Sequence, residues 1–222
     1  MKRKPEVILA LDVDSYSSAK NFVNKLYPEI KIFKVGSQLF TGYGPKVIEL
    51  IRKRKAEVFL DLKYFDIPTT VANAVRQAVR LKVKMLTLHI LGDEEMIKAA
   101  LFAAKDEAKI LKVKRPMLIG VTVLTSKEAN VNEVLILAKM GLECGLDGVV
   151  CSVREAHLLR EKIKRKFVIV TPGIRPASSG SDDQKRTATY SDATQAGSSF
   201  VVIGRPILKA ANPKLALKEI IS

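Results

Sequence analysis

Eight short runs of apolar, largely β-branched positions recur along the chain. They lie at 7–13 (VILALDV), 31–36 (KIFKVG), 56–63 (AEVFLDLK), 84–90 (KMLTLHI), 117–124 (MLIGVTVL), 147–152 (DGVVCS), 167–173 (FVIVTPG) and 200–207 (FVVIGRPI). The intervening segments change period from continuous to helical. In SSAKNFVNKLY, Ala19, Phe22, Val23 and Leu26 fall on one face, and in VANAVRQAVRLK so do Val71, Val75, Ala78 and Val79. Near-continuous apolar strand cores are what a parallel sheet covered on both sides requires, and each run is followed by a helical segment. Eight such units without a linker predict one domain over residues 1–222, a single (β/α)8 TIM barrel of the α/β class. A doubly wound open sheet is the alternative. It would use fewer strands, and no glycine-rich dinucleotide turn follows the first run.

Composition narrows the reading further. At 222 residues and 47% hydrophobic the chain can bury a sizeable core. The opening MKRKPEVILALDVD carries basic residues and a short apolar stretch, but that stretch stops at Asp12 without a small-residue cleavage pattern. A secretory signal is therefore not expected, and no run approaches membrane-spanning length. Cys144 and Cys151 lack metal-ligand company and form no disulfide framework, so reduced thiols and a cytoplasmic location are expected. The net charge of +15 raises the question of nucleic acid. The basic residues are scattered over IRKRKAE, RLKVK, AKILKVKR and REKIKRKF, each in or at the end of a helical segment, where cations complement the helix dipole and stay hydrated. Neither a nucleic-acid nor a membrane partner is expected on that basis. A positive field also suits a phosphorylated small molecule.

A barrel of this kind places chemistry at the C-terminal ends of its strands. Those ends read Asp12, Lys34, Asp61 with Lys63, His89, then LTS at 124–126, TPGIR at 171–175 and GR at 204–205. Strand positions i and i+2 share a face, so Asp61 and Lys63 are expected to point the same way. Taken singly, each charge is an ordinary solvated strand end. Taken together, Lys34, Asp61, Lys63 and Asp66 would alternate in sign, and mutual pairing keeps such groups ionised when water is excluded.

The stretches LALDV, FKVGSQLF, DLKYFDIPTT, VTVLTS, VTPGIRP, DDQKR and VIGRPI, in that order and spacing, resemble the orotidine 5'-phosphate decarboxylases over essentially the whole chain. The Asp-x-Lys-x-x-Asp core alone is shared with sugar-phosphate decarboxylases and aldolases on the same barrel. The attached Ile-Pro-x-Thr and the late Gln and Gly-Arg make the resemblance specific. It implies a homodimeric carboxy-lyase of pyrimidine biosynthesis that converts orotidine 5'-phosphate to uridine 5'-phosphate with neither cofactor nor metal. Lys63 would donate the proton to C6, Asp61 would stand near the departing carboxylate, and Lys34 would link Asp61 to the ribose hydroxyls. Asp66 would complete the array from the neighbouring subunit, with Thr70 beside it and Ile67 also at the substrate. The resemblance makes Asp12 the ribose-binding acid, Thr125 or Ser126 the reader of the base edge, and Arg175, Gln184, Gly204 and Arg205 the phosphate grip. The chain departs from the family after the fourth run, where HILGDEEM replaces a small-residue, double-glycine pattern, so His89 is assigned to packing.

Residue chemistry is consistent with those roles. Loss of carbon dioxide from C6 leaves an in-plane carbanion that the ring π-system cannot delocalise. A fixed ammonium beside the carbon supplies both counter-charge and proton. GRPILKAANP is expected to begin a helix after the eighth strand, with Pro206 in its first turn and backbone N–H groups facing a dianion. RPASSGSDDQ, between Arg175 and Gln184, is expected to form a lid whose closure on the phosphate assembles the site. A magnesium-dependent sugar-phosphate enzyme would instead want another acid at a strand end, where Lys34 puts a cation. For Asp66 the competing role is a plain cap on a helix of residues 68 to 82.

Overall fold

The computed structural model describes residues 3–124, 130–176 and 188–222. Eight strands close into a barrel in chain order: β1 (Glu6–Ala10), β2 (Ile32–Gly36), β3 (Glu57–Tyr64), β4 (Met85–His89), β5 (Met117–Val121), β6 (Gly148–Val150), β7 (Val168–Thr171) and β8 (Phe200–Ile203). All neighbours pair in parallel, including β8 with β1 through Val7 and Val201. Around them run α1 (Tyr16–Leu26), α2 (Ser37–Tyr43), α3 (Pro45–Lys53), α4 (Pro68–Arg80), α5 (Asp93–Ile110), α6 (Val131–Cys144), α7 (Val153–Lys162), α8 (Tyr190–Ala196), α9 (Arg205–Leu208) and α10 (Pro213–Ile221). The expected (β/α)8 barrel is what forms.

Strand alternation sorts the apolar residues into two layers. Ile8, Ala10, Ile32, Phe59, Met85, Ile119, Val170 and Val202 fill the barrel interior. Their strand neighbours Leu9, Phe33, Val58, Leu60, Leu86 and Ile169 face outward and pack under the helices, where Ala19, Val23, Val71, Val75, Ala78 and Val79 meet them. Truncating one of these fully buried large side chains to alanine costs about 2–5 kcal/mol. Gly148 marks a closer approach still. A Cβ there would lie 2.2 Å from the Val168 carbonyl oxygen, so no larger residue lets β6 and β7 pair.

Helix ends follow local chemistry. Ser15 accepts the Ser18 N–H at the start of α1, Ser152 and Glu155 form a capping box on α7, and Pro68 opens α4. At the other ends, α6 and α8 stop on left-handed Gly145 (φ 112°) and Gly197 (φ 81°). Helices α3, α4 and α5 are followed instead by left-handed lysines, Lys55 (φ 60°), Lys82 (φ 54°) and Lys112 (φ 52°).

The structure differs from expectation in two respects. Two helices, not one, follow β2 and β8. The apolar runs also outlast the strands they predict: β1 ends at Ala10 and β5 at Val121, well inside 7–13 and 117–124. Past β5, Val123 and Leu124 stay apolar because they line the cavity at the barrel mouth, whereas past β1 Leu11 packs in the outer core layer and Asp12 faces the cavity.

Candidate active site

A cavity of about 290 Å³ opens at the C-terminal ends of the strands. Asp12, Lys34, Asp61, Lys63, Arg175, Gly204 and Arg205 line it, with Val121, Val150, Val170, Pro172 and Val202 forming an apolar floor and wall. Inward-facing positions of β1, β2 and β3 change from apolar below to charged at the rim, which is why the charges converge here.

The charges form a chain. Lys34 Nζ lies 3.1 Å from Asp12 Oδ1 and 3.5 Å from Asp61 Oδ2, and Lys63 Nζ lies 3.1 Å from the same Asp61 oxygen. The Lys34 and Asp61 side chains are only 12% and 13% exposed, whereas Asp12 at 56% and Lys63 at 38% reach the open side. Burial pushes the Asp61 carboxyl upward, but Lys34, Lys63 and hydrogen bonds from Lys63 and Thr87 outweigh it and hold the group below the usual aspartate range. Asp61 is thus a buried anion fixed between two ammonium groups. At Gly36 a Cβ would come within 3.1 Å of Lys34 Nζ, so the glycine leaves room for this contact.

Asp61 and Lys63 meet as expected, though not by simple strand alternation. The β3–β4 register shifts between Leu60 and Tyr64, and Lys63 adopts a left-handed backbone at φ 51°. Such a conformation costs on the order of 1–3 kcal/mol in a non-glycine residue and persists where surroundings enforce it. Thr87 on β4 does the enforcing: its Oγ1 accepts the Lys63 N–H at 2.9 Å and donates to Asp61 Oδ1 at 2.9 Å. Thr87, wholly buried, was not among the residues singled out from sequence. The available signal was one hydroxyl in an apolar strand, two positions before His89 and on the same inward face.

His89 packs its ring against Phe65, with centroids 5.5 Å apart. Its buried Nδ1 has no hydrogen-bond partner among the described residues. Burial and the Lys63 ammonium, partly offset by Asp61, push the imidazole below its ordinary range.

Asp66 stands apart from the charge chain. It is exposed, and its Oδ1 accepts the Ile67 N–H at 2.7 Å. The residue capping α4 is Ile67, which offers no side-chain bond, so Asp66 is not the helix cap. Thr70 lies exposed in the first turn of α4, and Phe65 and Ile67 on either side of Asp66 are 61% and 66% exposed. At the far side of the cavity Arg175 is buried, its Nη1 donating to the Ile174 carbonyl at 3.3 Å and its backbone N–H to Ala188 at 2.9 Å. Gly204 precedes α9, whose first residues are Arg205 and Pro206, so a helix does begin after β8 with the proline in its first turn, and it runs for that single turn. Thr125, Ser126, Gln184 and the stretch after residue 176 expected to form a lid lie outside the described residues.

This fold and rim define a (β/α)8-barrel enzyme class whose site is built on fixed charges. The sequence profile of the "Orotidine 5'-phosphate decarboxylase / HUMPS family" matches residues 5–220. The orotidine 5'-phosphate decarboxylase of Vibrio cholerae is 45% identical over 97% of this chain and 96% of its own length, and that of Moorella thermoacetica 42% over 99% and 92%. The crystal structure of orotidine 5'-phosphate decarboxylase from Lactobacillus acidophilus superposes with a TM-score of 0.82 at 36% identity, covering 97% of each chain. The chain belongs to the orotidine 5'-phosphate decarboxylase / HUMPS family.

Proposed function

We propose that this protein decarboxylates orotidine 5'-phosphate to uridine 5'-phosphate in pyrimidine biosynthesis, without cofactor, with Lys63 protonating C6. The observation that carries this reading is the Lys34–Asp61–Lys63 chain at the cavity mouth. Departure of carbon dioxide leaves the electron pair in an sp² orbital at C6, and only a charge already in place can stabilise it. The Lys63 ammonium, aimed by Asp61 and by the strained backbone at φ 51°, provides that charge and then transfers its proton to the same carbon. Lys34 bridges Asp12 and Asp61, the position that a divalent ion shared by two acids would occupy, which favours charge-only chemistry over the metal-dependent alternative. Asp12 is the exposed acid positioned for ribose hydroxyls, and Arg175 and Arg205 face the cavity as the phosphate grip. Thr125 or Ser126 would read the base edge and Gln184 would join the phosphate grip.

The working unit in this proposal is a homodimer. Asp66 sits between two exposed apolar side chains, Phe65 and Ile67, and Leu91 near the same rim is 55% exposed. An exposed acid flanked by apolar side chains and absent from the lining of its own cavity suits donation to a partner's site, with Ile67 and Thr70 beside it. The test is carbon dioxide release from orotidine 5'-phosphate, with and without chelator. Turnover that survives chelation is expected. Inactivity of the folded protein on this substrate would overturn the proposal, and activity lost on chelation would move the protein to metal-dependent sugar-phosphate chemistry.

A further inference from the structure

The basic residues are scattered in sequence but gathered in space. A closed parallel barrel puts every strand entrance on one face, opposite the cavity. The segments entering the eight strands (3–6, 27–31, 53–57, 80–84, 109–116, 145–147, 162–167 and 197–199) hold 17 of the chain's 38 lysines and arginines but only four of its 23 acids. Arg80 and Lys162 pair with Glu107 and Glu161 just outside these segments, so most, rather than all, of the excess positive charge lies on the N-terminal face. Lys31, Lys53, Arg54, Lys55, Lys82 and Lys112 are exposed there and have no ion-pair partner among the described residues. A concavity of about 410 Å³ on this face is lined by Arg52, Lys82, Lys84, Lys114 and Arg115; among the described residues its one lining acid, Glu57, is paired to Lys84, and Arg115 pairs with Asp147.

The helix ends supply a second, independent observation. After α4 and α5 the chain makes the same turn. The Lys82 N–H donates to Val79 and the Val83 N–H to Ala78, and likewise Lys112 to Lys109 and Val113 to Ala108. That turn needs a left-handed residue and normally takes glycine. This chain does use glycine after α6 and α8, yet it carries lysine after α3, α4 and α5, on the three consecutive strand entrances β3, β4 and β5. Strained lysines, each followed by a buried Ala56, Val83 or a half-buried Val113, thus repeat once per strand along one arc. Packing does not call for their charge, because glycine would serve the backbone better.

We infer that the N-terminal face of the barrel binds the phosphodiester backbone of nucleic acid, through phosphate contacts and without base reading. Protein-binding surfaces centre on apolar and aromatic residues and are depleted in lysine, the opposite of this arc. Rows of lysines without aromatic platforms suit phosphates instead. Exposed Ile110 and Leu111 border the arc, so anionic membrane is the competing occupant to be tested.

The experiment titrates the intact protein into a fluorescein-labelled RNA duplex of about 20 base pairs, over about 50 to 200 mM salt, following anisotropy. The triple variant Lys55→Gly/Lys82→Gly/Lys112→Gly should bind at least about tenfold more weakly, with its log-affinity against log-salt slope reduced by about three. Its turnover of orotidine 5'-phosphate should match the parent's, which reports an intact fold. A control triple, Lys20→Gln/Lys46→Gln/Lys139→Gln, removes equal charge from the outer helices and should change binding little. Equal weakening by both triples, no saturable binding by the parent, or capture by phosphatidylserine vesicles in preference to the duplex would each overturn the inference.

Discussion

At the scale of single residues, the site rests on one buried carboxylate with two cations. Asp61 holds Lys63 at 3.1 Å and Lys34 at 3.5 Å, and Thr87 ties the Lys63 backbone to the same carboxylate. In the proposed reaction Lys63 supplies both the counter-charge and the proton, so its removal deletes two contributions together. Lys63→Ala is expected to lower kcat by more than about a thousandfold, because general-acid and electrostatic terms fall with it. Thermal unfolding at neutral pH should shift modestly downward, since the buried Asp61 carboxylate loses one of its two ammonium partners and keeps only Lys34. Single-turnover kinetics with orotidine 5'-phosphate checks this. A rate within tenfold of the parent would assign the proton to another group.

At the scale of elements, the helix ends and strand ends divide the labour of stability and function between the two barrel faces. Strand C-termini carry the strained Lys63, and helix C-termini carry the strained Lys55, Lys82 and Lys112. The second group can be relieved without touching the cavity. Lys82→Gly keeps both turn hydrogen bonds and removes the left-handed Cβ clash, so it should stabilise the protein by about 1 kcal/mol. Urea unfolding at fixed pH measures it, and a destabilised variant would mean that the lysine stem contributes packing that outweighs the strain.

At the scale of the whole molecule, the position of Asp66 decides whether one chain makes a complete site. The proposed dimer places Asp66 of each subunit in the other's cavity. Asp66→Ala and Lys63→Ala homodimers should then both be nearly inactive, for different missing parts. In a mixed dimer both lesions fall in one site and the other site is whole. After equal mixing and verified subunit exchange, about a quarter of parent activity should return if the sites act independently. No recovery would show that Asp66 does not act across an interface.

Taken alone, the sequence determined the barrel, because eight apolar runs alternating with amphipathic segments have one economical way to bury both faces of a parallel sheet. It also determined the membership of Asp12, Lys34, Asp61 and Lys63 in one rim, since parallel closure brings every strand end to the same side. It did not reveal Thr87, whose meaning depends on the register between β3 and β4. Nor did alternation foresee the left-handed backbone by which Lys63 reaches Asp61, because a bulge is set by the neighbouring strand rather than by local periodicity. The same limit hid the basic face. Lysines tens of residues apart look dispersed along a chain, and only barrel closure, which stacks all strand entrances together, turns them into one surface.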